Sequence, residues 1–417
     1  MSLSNRMMSV VCALLAMSFG AAESRAQLGS QLISDTAMRQ GGLERMWSTA
    51  LRVDNARGRV QSVRFHANLV FTQTSLGVIQ AIDAETGRTY WTTEVGSPNL
   101  ETTPPSINNE FVAVTNGSTL YVLARPTGAI LYQQRLGGAP SAGPGVSDID
   151  AVVPLSTGIV EAYKLKRERL LDHVPLRFSG TGSATTEPLI IKDRALWSTE
   201  QGYIYSREIS KTMSQIRFRL DDHVDAAPAY LSPFIYAASR SGRLYCISEQ
   251  TGLAIWDFPT EKPISEPIVT LEGRLFVITE ASEMYRIDPR LGTQVWYSPG
   301  VAKFLAASND RLYVLDPQGR VNVVDANSGS RLAVLQGTGG FNVPTVNTAT
   351  DRIYLCDSNG LLQCLREVRK DPAPIYHKRG FAIAPPKKPG EAAAPPADGA
   401  APAEGAAPAP AGNPFGS

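Results

Sequence analysis

The hairpin GVIQAIDAETGRTYW, Gly77 to Trp91, returns as GRLYCISEQTGLAIW, Gly242 to Trp256, and related segments recur about every 40 residues along the chain. The small residue in the first strand of that hairpin serves as a marker. Ala81, Val122, Ala162, Ser206, Cys246, Arg286, Val323 and Cys364 hold equivalent places, which makes eight units. Two further marks keep the same period. A glycine ends the turn at Gly87, Gly128, Gly252, Gly292 and Gly329, and a proline precedes an apolar pair at Pro105, Pro144, Pro188, Pro228, Pro267 and Pro344.

Each unit reads as four short strands. After the proline comes a first strand, then a run such as RLFVIT (Arg274–Thr279) or RLYVLD (Arg311–Asp316), a glycine-bearing turn, a third strand such as RLYCIS, a D-x-x-[TS]-G-like turn, and an outer strand that often carries tryptophan. Alternation with a period of two and this turn chemistry exclude helical solenoids. Four strands per repeat, arranged around a ring, define a β-propeller blade. In Asp83 to Gly87 and again in Asp325 to Gly329, the aspartate can accept a backbone N–H two residues on, and the glycine can take positive φ without a Cβ clash. Trp91, Trp256 and Trp296 fall at one place in their units and are expected to cover the seams between blades.

A ring needs closing. The eighth unit, ATDRIYLCDSNGLLQCL, stops after its third strand, whereas LERMWSTAL (Leu43–Leu51) resembles an outer strand with Trp47 in the tryptophan slot. The expectation is therefore an all-β, eight-bladed β-propeller of four-stranded antiparallel blades over residues 43–368, with the N-terminal strand completing the last blade and removing an open edge.

The flanks read differently. Arg6 followed by the apolar run Met7 to Ala22 and the small residues of Ser24-Arg25-Ala26 predict a secretory signal peptide, residues 1–26, cleaved before Gln27; a retained signal anchor is the alternative. Residues 27–42 form a short leader, in which SQLISDTAMRQ suits one or two helical turns. Residues 369–417 hold an Ala/Pro/Gly tract that cannot bury a core and is expected to be a disordered, solvated tail. Export to the periplasm or cell envelope follows, with no direct membrane span expected and outer-membrane association only through a partner.

The chain's 40 basic and 39 acidic residues nearly cancel, which gives no electrostatic footprint for nucleic acid or an anionic membrane. Cys12 lies in the apolar run, and the remaining Cys246, Cys356 and Cys364 form no disulfide framework. Cys246 and Cys364 share the marker slot with Ala81 and Ala162 and read as small core residues. His66, His173, His223 and His377 are scattered with no second ligand at metal-binding spacing. Lys164 to Arg169 is a basic block at the irregular third-blade turn and reads as a solvated loop. No nucleophile elbow or phosphate loop is present. Asp83, Asp288 and Asp325 recur because the turn needs them. No cofactor, metal or catalytic residue is expected.

The hairpin pattern [GRL]-x-A-[IL]-D-A-x-[TS]-G-x-x-x-W resembles the repeat shared by the PQQ-type quinoprotein dehydrogenases and the outer-membrane protein assembly factor BamB, over roughly residues 43–368. That resemblance implies an eight-bladed propeller. The dehydrogenases are larger, with insertions that build a quinone pocket and, in many, adjacent cysteines; the units here are near minimal and no Cys-Cys pair occurs. The resemblance to BamB implies a non-enzymatic, monomeric scaffold that assists outer-membrane β-barrel assembly and contacts a BamA-like partner through a Leu-Arg pair in one interblade loop and D-x-D-x-x-P in the next. Leu176 and Arg177 match the first, in the loop before Pro188. Asp225 before Pro228 matches the second, with His223 where the first acid would stand and Asp222 beside it. Both loops are expected on one face, where an apolar anchor, a guanidinium fork and carboxylates suit a protein partner; alternatively Arg177 and Asp225 pair with each other. A quinone-dependent dehydrogenase, or a propeller for another envelope protein or a glycan, are the rival readings.

Overall fold

The computed structural model describes residues 31–166, 174–210 and 215–368. The proposed signal peptide and the Ala/Pro/Gly tail lie outside them, as do residues 167–169 of the basic block. Within them the chain forms eight four-stranded antiparallel sheets. Strands are lettered a to d from the first to the last of each blade in spatial order. Blade 1 runs through Val60–His66, Leu69–Thr74, Val78–Asp83 and Thr89–Glu94. In the last blade, strands a to c are Val343–Pro344, Ile353–Cys356 and Leu361–Glu367, and strand d is Leu43–Ala50 from the start of the chain. Around the axis the a strands of blades 8 and 1, 2 and 3, 3 and 4, and 5 and 6 touch one another. Among the described residues, no helix is long and apolar enough to cross a membrane.

The seams explain the recurring tryptophans and glycines. Trp91 pairs across its sheet with the marker Ala81, so both point to the next blade. There its Nε1–H donates to Arg125 O at 2.8 Å, and a Cβ added to Gly128 would lie 2.5 Å from its ring. Trp47 repeats the contact on Gly87, donating to Ala84 O at 3.0 Å, and Trp296 repeats it on Gly329, donating to Ala326 O at 3.2 Å. Those glycines stand at φ between 72° and 74°, so each serves twice, as the turn's positive-φ residue and as the flat seat of an indole. Trp256 sits on Gly292 in the same manner, but the matching carbonyl, Pro289 O, is taken by the Tyr236 hydroxyl at 2.9 Å, and Trp256 Nε1 is left without an acceptor. Blade 4 uses Ile216, packed on Gly252.

A second recurring contact fastens the segments between blades. The residue before each marker is polar, and in blades 1, 3 and 4 it binds the incoming connection. Gln80 Oε1 accepts Arg52 N–H at 2.9 Å, Glu161 Oε2 accepts Gly137 N–H at 3.0 Å, and Tyr205 Oη accepts Thr181 N–H at 2.9 Å. The turns behave as their sequence implies. Asp83 Oδ1 accepts Glu85 N–H at 3.1 Å and Thr86 N–H at 2.7 Å. In the second such turn the Ser328 backbone N–H, then its hydroxyl, hold the Asp325 carboxyl below the usual carboxylate range.

Closure is both apolar and ionic. Strand d of blade 8 pairs from Leu43↔Glu367 to Ala50↔Leu361. Glu44 meets Arg366 at 2.5 Å, while buried Arg352 holds Asp351 at 2.7 Å and reaches Glu85 of blade 1 at 3.2 Å. The leader contributes a short helix, Asp35–Gln40, capped by Ser34, whose Met38 packs with Ile33, Leu335 and Phe341 in the core shared by blades 7 and 8. That helix occupies the seam where blade 7 offers only Ala333 opposite its marker Val323. Across the axis, Arg64 of blade 1 makes a two-pronged ion pair with Glu187, which leads into blade 4, both contacts at 2.9 Å.

Two stability measurements follow. Trp296→Ala is expected to lower the unfolding free energy by about 3–5 kcal/mol, read by denaturant titration. Trp91→Phe strands the Arg125 carbonyl and is expected to cost about 1 kcal/mol more than Trp256→Phe, whose indole N–H has no acceptor to lose. Equal costs would remove the hydrogen bond from the seam's energetics.

Candidate functional site

Leu176 and Arg177 do not lie in an interblade loop. They open strand d of blade 3, Leu176–Ser179, in register with Ala162 and Glu161. The reason is Phe178, whose burial (4% exposed) holds the segment in the sheet; the connection to blade 4 begins only at Gly180. Alternation along the strand sends Leu176 and Phe178 toward blade 4 and Arg177 to the opposite side. Leu176 stands opposite the marker Ala162, in the slot that tryptophan fills elsewhere, and is 44% exposed.

Arg177 meets a buried acid. Its Nε–H donates to Glu161 Oε1 at 3.0 Å, and Glu161, with a side chain 0% exposed, also accepts the Tyr163 hydroxyl at 2.5 Å and Gly137 N–H. Gly137 belongs to the connection from blade 2 to blade 3, so the guanidinium sits at the rim of the face that carries the interblade connections. The Nε anchor orients a guanidinium whose side chain stays 62% exposed.

Asp222, His223 and Asp225 do lie in an interblade connection, between strand d of blade 4 (Gln215–Arg219) and strand a of blade 5 (Ala229–Leu231). Asp222 Oδ1 accepts His223 N–H at 2.8 Å and lies 2.8 Å from His223 Nδ1; the His223 ring contact, then its backbone N–H, hold the carboxyl below its ordinary range. Asp225 pairs with Arg240 at 3.1 Å, and Arg240 N–H donates to His223 O at 2.8 Å, which ties the connection to the b–c turn of blade 5. Asp221 extends the acidic run, accepting the Ser241 hydroxyl at 2.7 Å. The alternative pairing of Arg177 with Asp225 does not occur: the carboxylate on Arg177 is Glu161, and the cation on Asp225 is Arg240.

The blade connections and the b–c turns share one face because each blade has an even number of strands. That face therefore presents three acids on one connection, exposed Asp221 and half-buried Asp222 and Asp225, interleaved with Arg240 and Arg243, and one anchored guanidinium two connections away. It suits a polar, directional protein contact rather than bond-making chemistry. Glu161 and Arg240 were not singled out from sequence, although a polar residue before every marker (Gln80, Glu161, Tyr205, Gln363) was there to be read.

Candidate reactive groups elsewhere are committed to structure. Cys246, Cys356 and Cys364 are buried free thiols; burial pushes Cys246 up to about 12 and raises Cys356 and Cys364 as well. Asp288 caps its own turn through Arg290 and Leu291 N–H, both at 2.9 Å. Lys164, at the start of the basic block, pairs with fully buried Asp150 at 2.9 Å. Among the described residues no group of three His, Cys, Asp or Glu side chains could hold a metal ion.

Residues 31–216 and 194–352 match the family model described as outer membrane protein assembly factor BamB. Among curated proteins, the chain is similar to BamB of Shewanella oneidensis, 28% identical over 282 residues that cover 61% of this chain and 68% of the relative. It is 23% identical to BamB of Yersinia pestis over 320 residues, covering 70% of this chain and 80% of the relative. Among solved structures, BamB from Moraxella catarrhalis superposes with a TM-score of 0.65 at 16% identity, covering 79% of this chain and 99% of the other. The computationally designed Ika8 protein superposes with 0.63 at 14% identity, covering 76% and 98%. At these identities the superpositions speak for the fold alone.

The Arg177–Glu161 contact makes a separate prediction. Arg177→Glu sets a second carboxylate against a buried one and is expected to cost about 1–3 kcal/mol of stability, whereas Arg177→Lys retains most of it. Thermal or denaturant unfolding reads the difference; equal loss for both variants would mean that Glu161 draws nothing from the positive charge.

Proposed function

The chain belongs to the family of the outer membrane protein assembly factor BamB, and from that premise we propose that it is a non-enzymatic, protein-binding scaffold of the cell envelope that assists assembly and insertion of outer-membrane β-barrel proteins. The observation that carries this reading is the extent of the family match. It begins before the closing strand and reaches Arg352 in blade 8, so it spans the ring rather than a single repeat. The commitment of the recurring aspartates to their turns and of the thiols to the core supports a binding role over catalysis.

The partner proposed is a BamA-like outer-membrane assembly protein, bound by a monomeric propeller. The contact would use the exposed Leu176 and the guanidinium of Arg177 on blade 3, with Asp222, His223 and Asp225 of the next-but-one connection supplying the acids. Two pairs already bias its chemistry. Asp225 shares its charge with Arg240 across a half-exposed gap, so a partner cation would join an existing network and gain from it only if it displaces water. Arg177 is already ordered by Glu161, so less side-chain entropy is lost when a carboxylate docks on its free nitrogens. Residues 1–26 would direct export, leaving the propeller in the periplasm and at the outer membrane only through its partner.

Co-purification from envelope extracts tests the site. Leu176→Ala combined with Asp225→Ala is expected to recover at least about tenfold less of the BamA-like protein than wild type, with near-ultraviolet circular dichroism unchanged. Undiminished recovery would remove these residues from the contact. Dye-linked alcohol oxidation on adding PQQ and Ca²⁺ would overturn the non-enzymatic reading.

A further inference from the structure

Because the units repeat, two neighbouring seams can be compared place by place. Between blades 4 and 5, Phe218 on strand d of blade 4 meets Tyr245 of blade 5, ring centres 5.9 Å apart. Tyr245 pairs across its sheet with Asp257. Arg243, two residues before Tyr245, gives its guanidinium to Asp257 and lies 3.7 Å from Asp221 of the incoming connection. That seam thus surrounds one guanidinium with two rings and two carboxylates.

Between blades 5 and 6 the surroundings return without the cation. Leu220 N–H donates to Gly202 O at 2.8 Å and Thr260 N–H to Gly242 O at 2.7 Å, which puts Glu261 in the place of Asp221 and Phe258 in that of Phe218. Phe258 meets Tyr285, again with ring centres 5.9 Å apart. Two places differ. Glu283 stands where Arg243 would, three residues before its marker, and Tyr297 stands where Asp257 would, in register with Tyr285.

Glu283 Oε1 accepts the Tyr297 hydroxyl at 3.1 Å, while Oε2 accepts the hydroxyls of Tyr285 at 3.3 Å and Thr279 at 3.4 Å. Oε1 therefore keeps a lone pair for a further donor. Burial, then the charge of Glu283, push the Tyr285 hydroxyl up to about 12, so it stays a donor at physiological pH. The Tyr297 ring lies 5.2 Å from that of Tyr285 and is 41% exposed. Among the described residues, no lysine or arginine reaches ion-pair distance of Glu283 or Glu261. Three rings and two carboxylates gather at one rim position with no cation to pair with them.

We propose that the rim groove between blades 5 and 6 is a binding site for an arginine side chain of a partner protein, its guanidinium against the rings of Tyr297 and Phe258 and its charge answered by Glu283 and Glu261. The protein carries its own template for this occupant, since Arg243 fills the same place one seam earlier. A guanidinium suits the groove better than an ammonium. It is planar and weakly hydrated, and it stacks on aromatic faces while donating to carboxylates in its plane. Arginine among aromatic rings is also a recurrent anchor of protein interfaces. The groove uses none of Leu176, Arg177, Asp222, His223 or Asp225, so it stands apart from the contact proposed above.

The test is fluorescence polarisation with the full chain and a labelled peptide of alternating arginine and serine. Matched peptides carry lysine or citrulline in place of arginine, and vesicles containing phosphatidylethanolamine offer a lipid ammonium instead. The arginine peptide is expected to bind, more weakly as salt is raised; the lysine peptide binds less tightly and the citrulline peptide does not bind. Glu283→Gln is expected to weaken binding at least about tenfold. Glu283→Arg with Tyr297→Asp rebuilds the ion pair of the preceding seam, so it is expected to fold and to abolish binding by filling the groove from within. Asp225→Ala is expected to leave peptide binding intact, even where it loses the envelope partner. Undiminished binding by either Glu283 variant, equal binding of the lysine or citrulline peptide, or capture of the vesicles in preference to the peptide would each overturn the proposal. Loss of peptide binding in Asp225→Ala alone would overturn it too, by moving the contact to the connection after blade 4.

Discussion

A planar indole resting on a glycine that has no Cβ is the contact on which the ring depends. The strand ladders close within each sheet, so side-chain packing does most of the joining of one blade to the next, helped by single bonds such as Trp91 Nε1–H to Arg125 O and Asn347 N–H to Leu305 O. Wedge-shaped seams widen outward, and a tryptophan on the outer strand supplies the area needed at the wide end. Its partner must be flat, and glycine at positive φ is the residue that ends the turn and offers a flat seat together. Because the same contact closes Trp47 onto Gly87, the last seam is made with the same physics as the others. Arg352, bridging Asp351 and Glu85 at that seam, adds charge to a joint that residues 51–59 also span.

Departures from the pattern show what else can fill a seam. Blade 7 presents only Ala333, and the leader helix packs there through Met38 and Ile33. Blade 4 substitutes Ile216, and blade 5 keeps Trp256 but spends the carbonyl on Tyr236. Blade 3 has Leu176, which is 44% exposed. Function is expected to gather where architectural demands relax, which here means the seam between blades 3 and 4 and the connection that follows blade 4.

Much of the ring was legible because its constraints are local. Positive φ after the Asp turn, alternation within strands, and a tryptophan at a fixed offset all repeat with the unit, and the missing fourth strand of the last unit pointed to Leu43–Leu51. Blade 3 broke the offset: its c–d turn is longer, so the slot residue falls fourteen positions after Ala162 rather than ten, and Leu176 and Arg177 looked like loop. Sequence alone could not reveal that Phe178 would be drawn into the sheet. Nor could it reveal that Glu161, one residue before the marker, would stand as the partner of Arg177, because cross-strand register depends on that turn's length. The acids at Asp222 and Asp225 were placed correctly since a proline fixes the start of the next strand close behind them.

Two surfaces remain free of architectural duty, one on the face bearing the interblade connections and one at the rim. Both border blade 4, and both present exposed charge. Hydrogen exchange measured along the chain with and without the co-purified envelope partner tests most directly that recognition is confined to what the ring leaves unused. Slower exchange is expected over residues 176–179 and 216–228, with the b and c strands of all blades unchanged. Slowing confined to the opposite face, at turns such as Asp83–Gly87 and Asp325–Gly329, would contradict it.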